Sequence, residues 1–413
     1  MCKNTRDFVS KKHHLSEIYV KYRASYLADE NRQLKIEDRH LKAMRMTEVC
    51  RTLKLGALVL RCESCGAIEV LYRSCRNRFC PGCGSANTYQ WAEKTLSRLL
   101  EVPHHHIVMT LPKEYRHLSQ MNGNALHDLL FTCSAIVVRS YFKEKYGCLP
   151  GMVSVLHTAG SDLKYHPHVH MVVTRGGKML KNDRYKVIKG SFLVKNEILA
   201  KELKKEFNRK LKFLNKKESL IVPKSIREGR GFNEWIEGLK EKSWIVNIEK
   251  PLPDVKQIVN YVGRYTKRAC ISEYKIEKIE PNIVFRYKDY KNSKRGEKPL
   301  ESLKTMTPTE FLDSLLQHVP TKRYRMVRYY GLYSSYYIGD IPEGLRSKIE
   351  GKALEELEEE GYWGELESMR KYLVANGYRD LLICKSCQGK MMPLGRLNPE
   401  GELIEIELDE DTS

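Results

Sequence analysis

The chain has no apolar run approaching the roughly twenty residues needed to cross a bilayer, and its first residues lack the apolar core of a secretory signal. The expected location is therefore the cytoplasm, with no membrane partner. Internal repeats and long low-complexity tracts are also missing, which argues against solenoid or fibrous architecture. Acidic residues are scarce over most of the length. Residues 340–413 hold 9 Lys/Arg against 18 Asp/Glu, whereas the preceding 339 hold 63 against 34, so the overall charge of +20 understates the basic excess there. Such an excess calls for a polyanion, nucleic acid before membrane because no amphipathic basic helix dominates.

What is present is 413 residues, enough for two or three domains, and twelve cysteines. In a chain without an export signal, cysteines read as metal ligands rather than disulfides. Cys62-Glu63-Ser64-Cys65-Gly66 and Cys80-Pro81-Gly82-Cys83-Gly84 are C-x2-C knuckles fourteen residues apart. That spacing predicts a four-thiolate zinc ribbon on Cys62, Cys65, Cys80 and Cys83. Cys75 is a spare thiol able to replace one ligand, and Arg73, Arg76 and Arg78 between the knuckles suit phosphate contacts. A third C-x2-C, Cys384-Lys385-Ser386-Cys387, stands alone and supplies half a site.

Three histidines lead into an apolar run in Tyr165-His166-Pro167-His168-Val169-His170-Met171-Val172-Val173. Residues two apart on a strand face the same way, so His168 and His170 project together as half of a divalent-metal site. Met152 to His157 is a second strand and Thr158 to Lys164 has turn composition. A hairpin turning near Asp162 sets His157 across from His168 as third ligand. His166 is a reserve one pleat earlier, and Gln257 an alternative from a helix. His104, His105 and His106 open another strand, where adjacent residues alternate faces, so they are read as polar strand-entry residues.

Residues 175–240 are dense in lysine, with Phe207, Leu211 and Leu214 giving a helix its core face. Past Pro253 and Asp254 a helix is predicted in which Val255, Ile258, Val259 and Val262 face a sheet. Tyr261 and Tyr265, four apart, share one face of it, among Arg264, Lys267 and Arg268. Arginine and tyrosine interleave again from Lys322 to Tyr333, a pattern suited to backbone neutralisation and base stacking. Histidine-held metal, tyrosine hydroxyls and surrounding cations are the parts for phosphoryl transfer to tyrosine. Arg264 and Arg268 would stabilise the phenolate of a nucleophile whose ordinary pKa is near 10.

The His168-Val169-His170 core resembles the motif of HUH single-strand endonucleases, and Ile107 to Pro112 is similar to the strand that precedes it there. Within that superfamily the chain resembles the two-tyrosine, rolling-circle insertion-sequence transposases with an N-terminal zinc ribbon. The resemblance runs in order through His157-Thr158, the histidine motif, Tyr261-Val262-Gly263-Arg264-Tyr265-Thr266, Phe285 to Tyr290 and Arg328 to Gly331, about residues 55–335. Phe79 departs from relatives that often carry histidine before the Cys-Pro step. The resemblance implies nicking of single-stranded DNA at element ends and transfer to target DNA through Tyr261 and Tyr265. It also implies a catalytic Mg2+ or Mn2+ beside the structural Zn2+, and a histidine arrangement similar to that of conjugative relaxases, which favours His157 over Gln257. Replication initiators and relaxases using the same site, and a non-catalytic DNA-binding protein, are the competing expectations.

The expected fold class is α+β, an HUH endonuclease-like (ferredoxin-like, Rep-like) core of antiparallel sheet and flanking helices between a zinc ribbon and a helical acidic tail. The expected divisions are a helical arm (1–55), the ribbon (56–90), a catalytic domain (91–275) with a basic insertion (175–240), a basic and aromatic extension (276–339) and an acidic region (340–413).

Overall fold

The computed structural model describes residues 13–29, 36–336 and 370–405, except 97, 183, 191–192, 230, 253–256, 258, 260–262, 264–268, 291, 294–296, 372 and 376–378. In chain order its strands are β1 (Ala57–Cys62), β2 (Ile68–Tyr72), β3 (His104–Thr110), β4 (Cys148–Leu149), β5 (Gly151–Ala159), β6 (Tyr165–Thr174), β7 (Gly176–Met179), β8 (Tyr185–Val187), β9 (Ile245–Ile248), β10 (Ile276–Lys278), β11 (Ile283–Asp289), β12 (Leu300–Met306), β13 (Val327–Gly331), β14 (Met391–Leu397) and β15 (Leu403–Glu405). The architecture is α+β, and every ladder between these strands is antiparallel.

The largest sheet has the order β13-β5-β6-β3-β9. Strand alternation gives it two unlike faces. On one, Ile107, Met109, Leu156, Val169, Met171 and Val173 are buried beneath helices Gly123–Tyr146 and Asn196–Lys216. The second helix comes from the lysine-dense stretch. Its Leu199, Leu203, Phe207 and Leu211 recur every fourth residue and face inward, so the stretch expected as an insertion also supplies core. Each such fully buried side chain contributes about 1.5–3 kcal/mol relative to exposure.

On the opposite face, Val153, Val155 and Val172 pack with Ala92 and Leu96 of helix Gly84–Leu96, with Leu99 and Leu100, and with Val259. By the same alternation, His157, His168 and His170 belong to this face.

The N-terminal helices Leu15–Leu27 and Asp38–Glu48 are built into the later chain. Ile18, Tyr19 and Met44 share a core with Phe285 of β11 and Phe311 of helix Pro308–Leu316. Tyr26 donates a 2.7 Å hydrogen bond to Asp313, and Tyr22 one of 2.9 Å to the Ile279 carbonyl. Another sheet, β15-β14-β1-β2, joins the chain's two end regions. The acidic region expected as helical thus contributes strands, because Met391, Pro393 and Gly395 alternate inward along β14. Among the described residues no helix is long and apolar enough to cross a membrane.

Candidate functional site

The β5–β6 register pairs His157 with His168 and Val155 with His170. Directly opposed residues share a face, and the ligand nitrogens of His157, His168 and His170 lie within 4.8 Å of one another. Nδ1 of His157 stands 3.3 Å from Nε2 of His168. Three nitrogens at that separation fit around one small divalent ion.

Outer contacts orient two of the three rings. Nδ1 of His168 lies 2.6 Å from the His166 carbonyl, which fixes that nitrogen as the donor and turns Nε2 toward the cluster. Nδ1 of His170 lies 2.9 Å from Nε2 of His106, and Nδ1 of His106 lies 3.0 Å from a Glu249 carboxylate oxygen. The tautomers that satisfy this chain have His170 donating to His106 and His106 donating to Glu249, with Nε2 of His170 as its metal-facing atom.

Burial holds the site's imidazoles neutral, the form that binds metal. His168 is pushed down to about 4 by burial. Burial first, then the charge of neighbouring imidazoles, lowers His157 and His170 well below the ordinary histidine value. Arg78 contributes to the depression of His157, so the loop between the cysteines brings a guanidinium near the site. That loop is pinned by Phe79, buried in the same core as Leu163 of the β5–β6 turn. Arg78 itself is pushed down to about 10 by burial, while Arg76 is exposed.

His166 is turned elsewhere, with Nδ1 accepting from Arg116 at 2.6 Å. Gln257 is helical and exposed. Tyr261, Tyr265, Arg264, Lys267 and Arg268 lie outside the described residues. Two described residues flank Tyr261 in the sequence. Val259 is buried with Val153, Val155 and Val172, and a Cβ on Gly263 would come within 3.2 Å of Thr88 and Trp91. Both therefore pack on the histidine-bearing side of the sheet.

His106 was not anticipated as a partner. Strand alternation puts it with His104 on one face, but only the β3–β6 register, which pairs Val108 with His170, stacks its ring on His170 at 5.2 Å.

The four predicted zinc ligands do not meet, which corrects the expected ribbon. Cys80 and Cys83 gather with Cys50 and Cys75, whereas Cys62 and Cys65 gather with Cys384 and Cys387. The cause is the β1–β2 hairpin. Cys62 and Cys65 sit at its turn and Cys75 to Cys83 follow its open end, so a strand of five residues, about 17 Å, separates the knuckles. Cys75 is a ligand candidate in full, 3.7 Å from Cys83. Cys50 is brought in where the backbone amide of Arg51 meets the carbonyl of Arg73, and its sulfur accepts from the amide of Cys75. No spacing rule pointed to Cys50. All four of these thiols are buried, and together they offer the four-thiolate set of a closed structural zinc site.

Two family models match the chain, one described as a transposase zinc-binding domain over residues 18–111, the other as "Putative transposase" over residues 151–338. The zinc-binding match spans Cys50, Cys75, Cys80 and Cys83. A protein named "Putative transposase y4qJ" from Sinorhizobium fredii is 30% identical over 329 residues, covering 78% of this chain and 81% of that protein. The transposase for insertion sequence element IS801 from Pseudomonas savastanoi pv. phaseolicola is 27% identical over 321 residues, 73% of each. No solved structure matches.

Proposed function

Since the chain belongs to the family of insertion-sequence transposases that carry an N-terminal zinc-binding domain, we propose that it nicks single-stranded DNA at element ends and passes the strand to target DNA through 5′-phosphotyrosine intermediates on Tyr261 and Tyr265. The observation that carries this reading is the three-histidine cluster on the sheet face against which Val259 and Gly263 pack. The five-stranded antiparallel sheet bearing paired histidines supports an HUH-type core.

His157, His168 and His170 would hold Mg2+ or Mn2+, which when bound supplies Lewis acidity to the scissile phosphate. The rest is chemistry of this chain. His106 and Glu249 keep the His170 ring in its ligating orientation. One tyrosine hydroxyl attacks phosphorus as the bond to the 3′ oxygen breaks, its proton passing to solvent and the 3′ oxygen leaving as a hydroxyl. Arg264 and Arg268 stabilise the phenolate, and Arg78 adds positive charge for the approaching phosphates. The phosphotyrosine bond retains the phosphodiester's energy, so a 3′-hydroxyl rejoins it without ATP. A second tyrosine permits two successive transfers without release.

Purified protein incubated with Mg2+ or Mn2+ and a single-stranded oligonucleotide carrying the element's end should yield a denaturant-resistant protein–DNA adduct. Absence of an adduct with a cognate end would overturn the enzymatic reading.

A further inference from the structure

We infer that Cys62, Cys65, Cys384 and Cys387 form a second structural zinc site, a clasp that ties the C-terminal region to the N-terminal module. The four sulfurs lie within 4.8 Å of one another. Across the junction Cys62 is 3.4 Å from Cys387 and Cys65 is 3.7 Å from Cys384. Tetrahedral thiolates at the usual zinc–sulfur distance stand about 3.8 Å apart.

The two half-sites are built alike. Cys62-Glu63-Ser64-Cys65-Gly66 and Cys384-Lys385-Ser386-Cys387-Gln388 each close with a backbone hydrogen bond from the fifth residue's amide to the first cysteine's carbonyl, at 3.0 and 3.1 Å. Each places that fifth residue at positive φ, +71° for Gly66 and +61° for Gln388. A turn of this shape points amides at sulfur. Those of Ser386 and Gly389 each donate at 3.4 Å, to Cys384 and Cys387 respectively. Such bonds stabilise thiolates that share an ion.

Approach of the halves is also specified. A Cβ on Gly389 would come within 2.4 Å of the Ser64 hydroxyl, so glycine there lets the turns close on each other. A backbone bond from the Glu63 amide to the Lys390 carbonyl joins them, one from the Cys384 amide to the Gly389 carbonyl closes the C-terminal turn on itself, and the β1–β14 ladder continues the contact from Cys62–Met391. Arg379 holds buried Glu69 of β2 through two 2.9 Å bonds, and Lys385 reaches the same carboxylate at 2.8 Å. These contacts order four thiols before any ion arrives, but four close thiolates need a cation to balance them. The zinc-binding family match ends at residue 111 and contains half of this set.

The test counts zinc in the full-length protein, purified under reducing conditions in a His168→Ala/His170→Ala background so that only cysteine sites contribute. Two zinc ions per chain are expected, falling to one in Cys384→Ser/Cys387→Ser and to one in Cys75→Ser/Cys83→Ser. Cys387→His, which keeps a ligand, should retain two and guards against misfolding as the cause of loss. With cobalt in place of zinc, that variant should weaken the thiolate charge-transfer band relative to the parent. One zinc in the parent, an unchanged count in the tail variant, or an intact mass showing these thiols oxidised to disulfides overturns the clasp. None of these readouts depends on DNA cleavage.

Discussion

The histidine cluster and the cysteine clusters differ in how their ligands are gathered. His157, His168 and His170 come from one hairpin, so strand alternation and a turn near Asp162 suffice to bring the three side chains together, with His106 and Glu249 only orienting the His170 ring. Cys62 and Cys387 lie 325 positions apart, and Cys50 lies 25 from Cys75. Ligands from one hairpin are specified by local register; ligands from different elements depend on which elements meet. The first kind of site should keep its shape when remote parts of the chain are damaged, and the second kind should fail with them.

The largest expected effect is at the local site. His168→Ala/His170→Ala should reduce strand cleavage by about a thousandfold or more, since removing the cation's ligands forfeits several kcal/mol of phosphate stabilisation. The β5–β6 hairpin should survive, and thermal unfolding should show little loss, because the other sheet face carries the main core. A variant that unfolds would mean that the histidines hold the sheet together.

Cys80→Ser should instead act on stability. It should release one zinc and open the module that contains Cys50, Cys75 and Cys83, lowering Tm. Cleavage of pre-bound short oligonucleotides should fall less than DNA binding does. Equal loss of both would merge the two regions into one unit.

A smaller effect is expected at the outer contacts. His106→Ala or Glu249→Gln should weaken divalent-metal affinity by about 10–100-fold, measured as the shift in Mg2+ or Mn2+ needed for half-maximal adduct formation. Excess metal should restore the rate, which a role in substrate chemistry would not allow. Smallest is Arg76→Ala, which removes an exposed charge. It should weaken binding across all sequences and flatten the salt slope by about one. An effect confined to one DNA sequence would indicate base recognition instead.

Legibility in the sequence followed the same division. The strand containing Val169 and Met171 declares itself by composition, and pairing with Met152 to His157 needs only the intervening turn. His106 escaped because its role depends on β3 lying beside β6 in a particular register, which alternation alone does not supply. The cysteine spacing named the right chemistry with the wrong partners, since the rule takes neighbouring knuckles to meet and the β1–β2 hairpin keeps them apart. Nor does the N-terminal stretch announce that Tyr19 will share a core with Phe311. Apolar periodicity states that a helix has a partner, not which one.

The central claim is that this sheet face presents tyrosine to a phosphate held by a histidine-bound cation. It is tested most directly by digesting the protein–DNA adduct with trypsin and identifying the linked residue. Cleavage after Lys256, Arg264 and Lys267 separates the peptides bearing Tyr261 and Tyr265. The account predicts the 5′ phosphate on one or both of these, with none in Tyr261→Phe/Tyr265→Phe; a phosphate on any other residue, or an adduct that survives the double substitution, would contradict it.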